Sequence, residues 1–160
     1  MRVRFRVATL VLLAFLASTF LPMAVPAHAQ GSGRWIEVDT SRGVVYAVQD
    51  GRVVYTALAT VGVPQYPTPK GRFRIFRRVY NETMDSSTIG IPRNAPGGYY
   101  LTGVLYTQYF YDGAALHYNY WSPASAFGSA AGSHGCVGLR LSDAAFFWNF
   151  ATIGTLVIVY

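Results

Sequence analysis

Apolar and polar residues alternate with a period of two along most of this chain, and a backbone that sends successive side chains to opposite faces is a strand. The pattern is clear in RWIEVDT (34–40), GVVYAVQ (43–49) and RVVYTALATVG (52–62). Asp50-Gly51 separates the last two, and an Asp-Gly pair between such runs is the strongest short hairpin signal because both residues tolerate positive φ. YPTPKG (66–71) makes a turn, and RFRIFRRVY (72–80) resumes as a strand with Arg72 and Arg74 on its polar side. YYLTGVLYTQYFYDGAALHYNYW (99–121) divides into two strands at Asp112-Gly113, and TLVIVY (155–160) is apolar enough to lie buried within a sheet. Residues 81–97, NETMDSSTIGIPRNAPG, have no period and read as one long loop, a length that tends to be functional. The helical signal is confined to DAAFFWNF (143–150), with Ser142 as its cap and Asp143 in the first turn, where the helix dipole favours a negative charge. The expected fold is therefore mainly β with one short helix.

The first 29 residues do not belong to that pattern. Arg2, Arg4 and Arg6 precede an apolar stretch that ends in Ala27-His28-Ala29, the layout of a secretory signal peptide. Pro22 and Pro26 interrupt the run before it reaches the roughly 20 residues of a membrane span. The expected organisation is a signal peptide over 1–29, a short linker over 30–34 and a single domain over 35–160. Cleavage would place the protein in the periplasm or cell wall, with membrane contact only during export. It would also remove three of the thirteen basic residues and none of the seven acidic ones, leaving a formal charge of +3. With that modest charge, Arg72, Arg74, Arg77 and Arg78 read as a solvated strand face, and nucleic acid is not an expected partner.

Cys136 is the sole cysteine, which excludes an intrachain disulfide and a multi-cysteine metal site. Its thiol is a small buried hydrophobe, paired between chains, or chemically used. Two histidines lie outside the leader, His117 and His134, both close to Cys136 in sequence. A thiol needs a neighbouring base to become an effective nucleophile, and histidine is the usual one. Gly132 and Gly135 let the loop turn sharply and aim backbone amides at a developing oxyanion.

His117, fifteen intervening residues, and Ser133-His134-Gly135-Cys136-Val137 together resemble the signature of the L,D-transpeptidases of bacterial cell walls, the YkuD-type catalytic domain. The similarity extends through YAVQDGRVVYTALATVG, YPTPKGRFRI, GAALH and GTLVIVY. It implies a β-sandwich of mixed strands with the helix after the cysteine loop, acting on peptidoglycan stem peptides without metal or organic cofactor. By motif position, Cys136 would be the nucleophile and His117 the proton acceptor and donor. His134 and Ser133 would orient the loop and substrate, and the Gly135 and Cys136 amides would build the oxyanion hole. The family commonly carries Arg or Asn two places after the cysteine, where this chain has Gly138, and Arg140 is the candidate substitute for binding substrate. The family's small residue after the first histidine is Tyr118 here, a further candidate substrate contact whose carbonyl can orient His117.

Other exported or cysteine-dependent classes fit less well. Sortases resemble a Thr-Leu-x-Thr-Cys strand with a distant histidine, and papain-like and NlpC/P60 peptidases place cysteine before histidine. A carboxypeptidase trimming the same stems, and a catalytically silent wall-binding module, both remain compatible with the residues. The leader makes a direct prediction: intact-mass analysis of the exported protein should find the N-terminus at Gln30, and a full-length product held in the membrane would refute it.

Overall fold

The computed structural model describes residues 33–160. The expected signal peptide, and the linker up to residue 32, lie outside the described residues. Among the described residues ten strands form: β1 (Arg34–Asp39), β2 (Val44–Gln49), β3 (Arg52–Gly62), β4 (Gly71–Arg74), β5 (Arg77–Asp85), β6 (Tyr100–Tyr111), β7 (Ala114–Tyr118), β8 (Ser129–Ser133), β9 (Val137–Leu139) and β10 (Leu156–Val159). One α-helix, α1 (Leu141–Phe150), lies between β9 and β10.

The strands make one continuous mixed sheet in the order β4-β10-β1-β2-β3-β9-β7-β6-β5, with β8 branching from β3. Both Asp-Gly turns form as the residue types require: Asp50 and Gly51 adopt φ of 51° and 78°, and Asp112 adopts 42°. The sheet curls until its ends meet, with Phe73 of β4 packing against Phe110 and Tyr111 of β6 at ring distances of 5.7 and 5.0 Å. Sandwich-like packing is thus reached by one sheet folding over on itself. Ile36, Val38, Val45, Ala59, Val61, Leu116, Val137, Leu139 and Val157 fill the interior. Phe147 of α1 joins them fully buried, so the helix backs β7, the strand that carries His117. The Tyr55 hydroxyl donates to Asp143 at 2.7 Å, and its ring stacks on Phe146, tying the helix to β3.

Four local expectations are revised. Residues 81–85 continue β5 and pair with β6, Glu82 opposite Val104 and Asp85 opposite Tyr100, so the loop starts later than its composition suggests. A polar stretch becomes a strand here because the partner is already in place and one face stays exposed. RFRIFRRVY is two strands: β4 pairs with β10, and the chain crosses at Ile75-Phe76 to pair with β6 as β5. The cysteine loop is itself flanked by short strands, β8 and β9, which its glycines concealed. Ser142 lies inside α1, whose first residue is Leu141. Arg140 occupies the cap position without a side-chain bond, while Asp143 does sit in the first turn.

Burial makes Phe147 the sharpest test of this architecture. Phe147→Ala should cost about 3–5 kcal/mol by denaturant unfolding. Ile153→Ala, at a residue 65% exposed, should stay within about 0.5 kcal/mol.

Candidate active site

β7 and β9 run parallel, with Leu116 opposite Val137 and His117 opposite Gly138. Side chains alternate along a strand, so Leu116 and Val137 point into the core while His117 emerges on the other face. Cys136 immediately precedes β9, one step before Val137, and therefore shares the face of His117. Both line one cavity of about 290 Å³ together with Met84, Tyr99, Trp121 and Ser133. Two further cavities, about 350 and 310 Å³, also reach Cys136. The thiol stands where the three converge.

His117 is 2% exposed, and its Nδ1 lies 2.9 Å from the Tyr118 carbonyl. A carbonyl can only accept, so Nδ1 carries the proton and Nε2 keeps its lone pair. Burial lowers the imidazole pKa to about 4, partly opposed by the Tyr118 bond. The indole of Trp121 stacks over the ring at 5.5 Å and 22°. Desolvation raises the Cys136 thiol to about 11, against the stabilising Ala115 amide, and Sγ donates to the Gly113 carbonyl at 3.6 Å. At neutral pH the resting pair is therefore an uncharged thiol beside an uncharged imidazole.

The loop between β8 and β9 is closed by its own residues. Ser133 Oγ donates to the Cys136 carbonyl at 2.6 Å and accepts from the Gly135 amide at 3.2 Å. Gly135 turns with φ of 104°, a region that L side chains rarely enter. His134 lies between Tyr66 and Tyr99, with ring distances of 4.7 and 5.4 Å, so it links the cysteine loop to both flanking segments. One of these, residues 86–99, is tied at its ends: Ser86 N donates to the Tyr99 carbonyl and Tyr99 N to Ser86 Oγ, at 3.0 and 2.9 Å. Arg93 clamps the same segment by pairing with Asp85, whose carboxyl it holds well below the usual range.

Of the expected site residues, Cys136, His117, His134, Ser133 and Gly135 come together. Tyr118 contributes its carbonyl, while its side chain packs against the core from the opposite face. Arg140 is directed elsewhere: its guanidinium donates to the Ala124 carbonyl at 3.3 Å and lies over Phe127. Three of the four arginines of the basic stretch are occupied too, Arg74 on the Gly154 carbonyl, Arg77 on Glu82 and Arg78 over Trp148. Sequence reasoning missed Trp121, Tyr99 and Met84. Trp121, four residues after His117 and following three polar or aromatic residues, was the one with a local signal; the others reach the site from distant segments.

The sequence profile of the L,D-transpeptidase catalytic domain (YkuD) matches residues 33–159. L,D-transpeptidase 1 of Mycobacterium tuberculosis is 38% identical over 106 residues, covering 66% of this chain and 42% of that protein. Probable L,D-transpeptidase 3 of the same species is 37% identical over 101 residues, 63% of this chain and 37% of that protein. The chain thus spans about two fifths of the curated relatives it matches. Among solved structures, LdtMt1 in complex with imipenem superposes with a TM-score of 0.77 at 33% identity, over 81% of this chain and 60% of that one. The L,D-transpeptidase from Mycobacterium smegmatis gives 0.75 at 33% identity, over 81% and 59%. With the profile spanning the whole described domain and its histidine and cysteine meeting in one cavity, this chain belongs to the L,D-transpeptidase catalytic-domain family.

Proposed function

We propose that this protein is an exported cysteine acyltransferase that remodels peptidoglycan stem peptides through a thioester at Cys136. The observation that carries the reading is the shared cavity, in which a buried imidazole with its Nδ1 proton anchored on Tyr118 faces the same space as the thiol. Export rests on the arginine-rich start and the Ala-His-Ala site.

In this mechanism the thiol sulfur attacks the carbonyl of the third, diamino-acid residue of a donor tetrapeptide. Nε2 of His117 takes the thiol proton as the carbon–sulfur bond forms. An uncharged starting pair avoids holding two buried ions before substrate arrives. The imidazolium then gives its proton to the departing nitrogen, releasing D-alanine and leaving the thioester. The side-chain amine of a neighbouring stem attacks the thioester carbonyl next and gives a proton to Nε2; the carbon–sulfur bond breaks, the departing sulfur takes that proton back from the imidazolium, and the product is a 3→3 cross-link. Water in place of the amine would give trimming. The Gly135 and Cys136 amides are the donors assigned to the oxyanion; the Gly135 N–H, which donates to Ser133 Oγ at 3.2 Å, must leave that bond to take part, and Ser133 with His134 keeps the loop in shape. The tyrosine-lined cavities offer the peptide a surface, and Arg140 contacts substrate only if its bond to Ala124 is released.

Muropeptide mass spectrometry tests the reaction: the wild type should release D-alanine and form 3→3 dimers. Release without dimers would favour trimming, and neither product would favour a silent wall-binding module. Cys136→Ala should abolish turnover and covalent labelling by imipenem with the fold intact. His117→Ala should slow acylation by roughly 10²–10⁴-fold.

The buried imidazole and the half-buried thiol also set the pH dependence. His117, lowered to about 4, stays a competent base above that pH, and Cys136, raised to about 11, stays protonated. Acylation by imipenem should be flat from about pH 6 to 9, without the rise near 6.5 of an ordinary histidine. Alkylation by iodoacetamide, which needs the thiolate, should still be climbing at about pH 9. A plateau of alkylation from about pH 7 upward would instead reveal a resting thiolate–imidazolium pair.

A further inference from the structure

Gly138 is the point where this chain departs from the common family signature, and the structure contains a physical reason. In register, Gly138 lies between Thr60 of β3 and His117 of β7, so the three form one row across adjacent strands. A Cβ placed on Gly138 would sit 2.3 Å from Thr60 Oγ1, 2.6 Å from Asn119 Nδ2 and 2.9 Å from Asn119 Cβ. The space over Gly138 is therefore filled by the side chain of Asn119, two residues after His117.

Asn119 is 3% exposed, and its polar atoms are engaged. Nδ2 donates to Thr60 Oγ1 at 3.0 Å and to Ser122 Oγ at 2.9 Å, while Oδ1 accepts from the Ser122 amide at 3.1 Å. Its backbone amide donates to the Leu139 carbonyl at 2.9 Å. These bonds close the turn 119–122 and pin it to β3 and β9. That turn presents Trp121, the indole stacked on His117.

We propose that Asn119 is a positioning residue for the acyl transfer, its carboxamide crossing over Gly138 to lock the turn that holds Trp121 against the His117 ring. The carboxamide reaches the face of the cysteine strand from the residue just after β7, and glycine at 138 is what admits it. The inference rests on the reading of Cys136 and His117 as nucleophile and base. Ring orientation matters because proton transfer requires Nε2 to be aligned with the sulfur as the bond forms, and small misplacements cost large factors in rate.

The test compares imipenem acylation with iodoacetamide alkylation in the full chain. Asn119→Ala should lower the saturating acylation rate constant roughly 10- to 100-fold with little change in the half-saturating concentration. Alkylation of Cys136, which does not use the base, should keep its wild-type rate. Asn119→Asp preserves the acceptor for the Ser122 amide, and the Thr60 and Ser122 hydroxyls can turn to donate to it, so it should recover most of the acylation rate. Wild-type acylation by Asn119→Ala, a parallel fall in acylation and alkylation, or an aspartate variant no better than alanine would each overturn the proposal. Should Asn119→Ala fail to fold, Ser122→Ala, which removes one partner of the carboxamide, must show the same split in smaller degree, and wild-type kinetics there overturn it. A wild-type protein that imipenem does not acylate at all removes the underlying reading and this inference with it; a reactive wild type matched by Asn119→Ala removes only the role of Asn119.

Discussion

The pairing of β7 with β9 is the contact on which the candidate site depends. Because side chains alternate along both strands, this register sends Leu116, Val137 and Leu139 inward and leaves His117 and Cys136 on the opposite side. A slip of one residue would exchange the two sets, burying the base among aliphatic side chains and exposing the core. The register is held from both directions: α1 covers the inner face through Phe147, and β3 pairs with β9 through Ala59 and Thr60. Burial of the apolar face and alignment of the reactive face are one event.

Burial also determines the electrostatics of the pair. Removing water from a thiol and an imidazole penalises their charged forms, and this desolvation outweighs the backbone hydrogen bond that each group accepts or donates. The site therefore stores its reactivity as geometry, with the proton fixed on Nδ1 by a backbone carbonyl that any residue at 118 would supply. Tyr118 can then serve the core with its side chain and the histidine with its main chain. Around this centre, loops are tied by aromatic contacts and by the Asp85–Arg93 pair, which bring Tyr66 and Tyr99 to His134. Such contacts shape the cavities that meet at the thiol.

Arg140 and Asn119 illustrate how position in sequence and position in space diverge. Arg140 follows Cys136 by only four residues, yet β9 ends between them and α1 begins. The chain direction changes there, and the guanidinium is carried to Ala124 and Phe127. Asn119 bonds to Thr60, a residue 59 positions away, and the two side chains together occupy the space that a Cβ at 138 would need.

What the sequence by itself determined was what local chemistry can specify. Period-two alternation marked β1, β2, β3, β6 and β7, an unbroken apolar run marked β10, the Asp-Gly pairs marked their turns, and the histidine and Ser-His-Gly-Cys spacing marked the two side chains that meet in one cavity. These signals depend on backbone preference and on side-chain type, which a residue and its neighbours carry with them. Only the tertiary structure decided that β5 absorbs residues 81–85, that the chain changes partners at Ile75-Phe76, and that Trp121, Asn119 and Thr60 surround the histidine. Each of those outcomes depends on a partner far along the chain. A polar segment becomes a strand when a neighbour offers its free hydrogen bonds, and a glycine becomes obligatory when a side chain from another strand already fills its space.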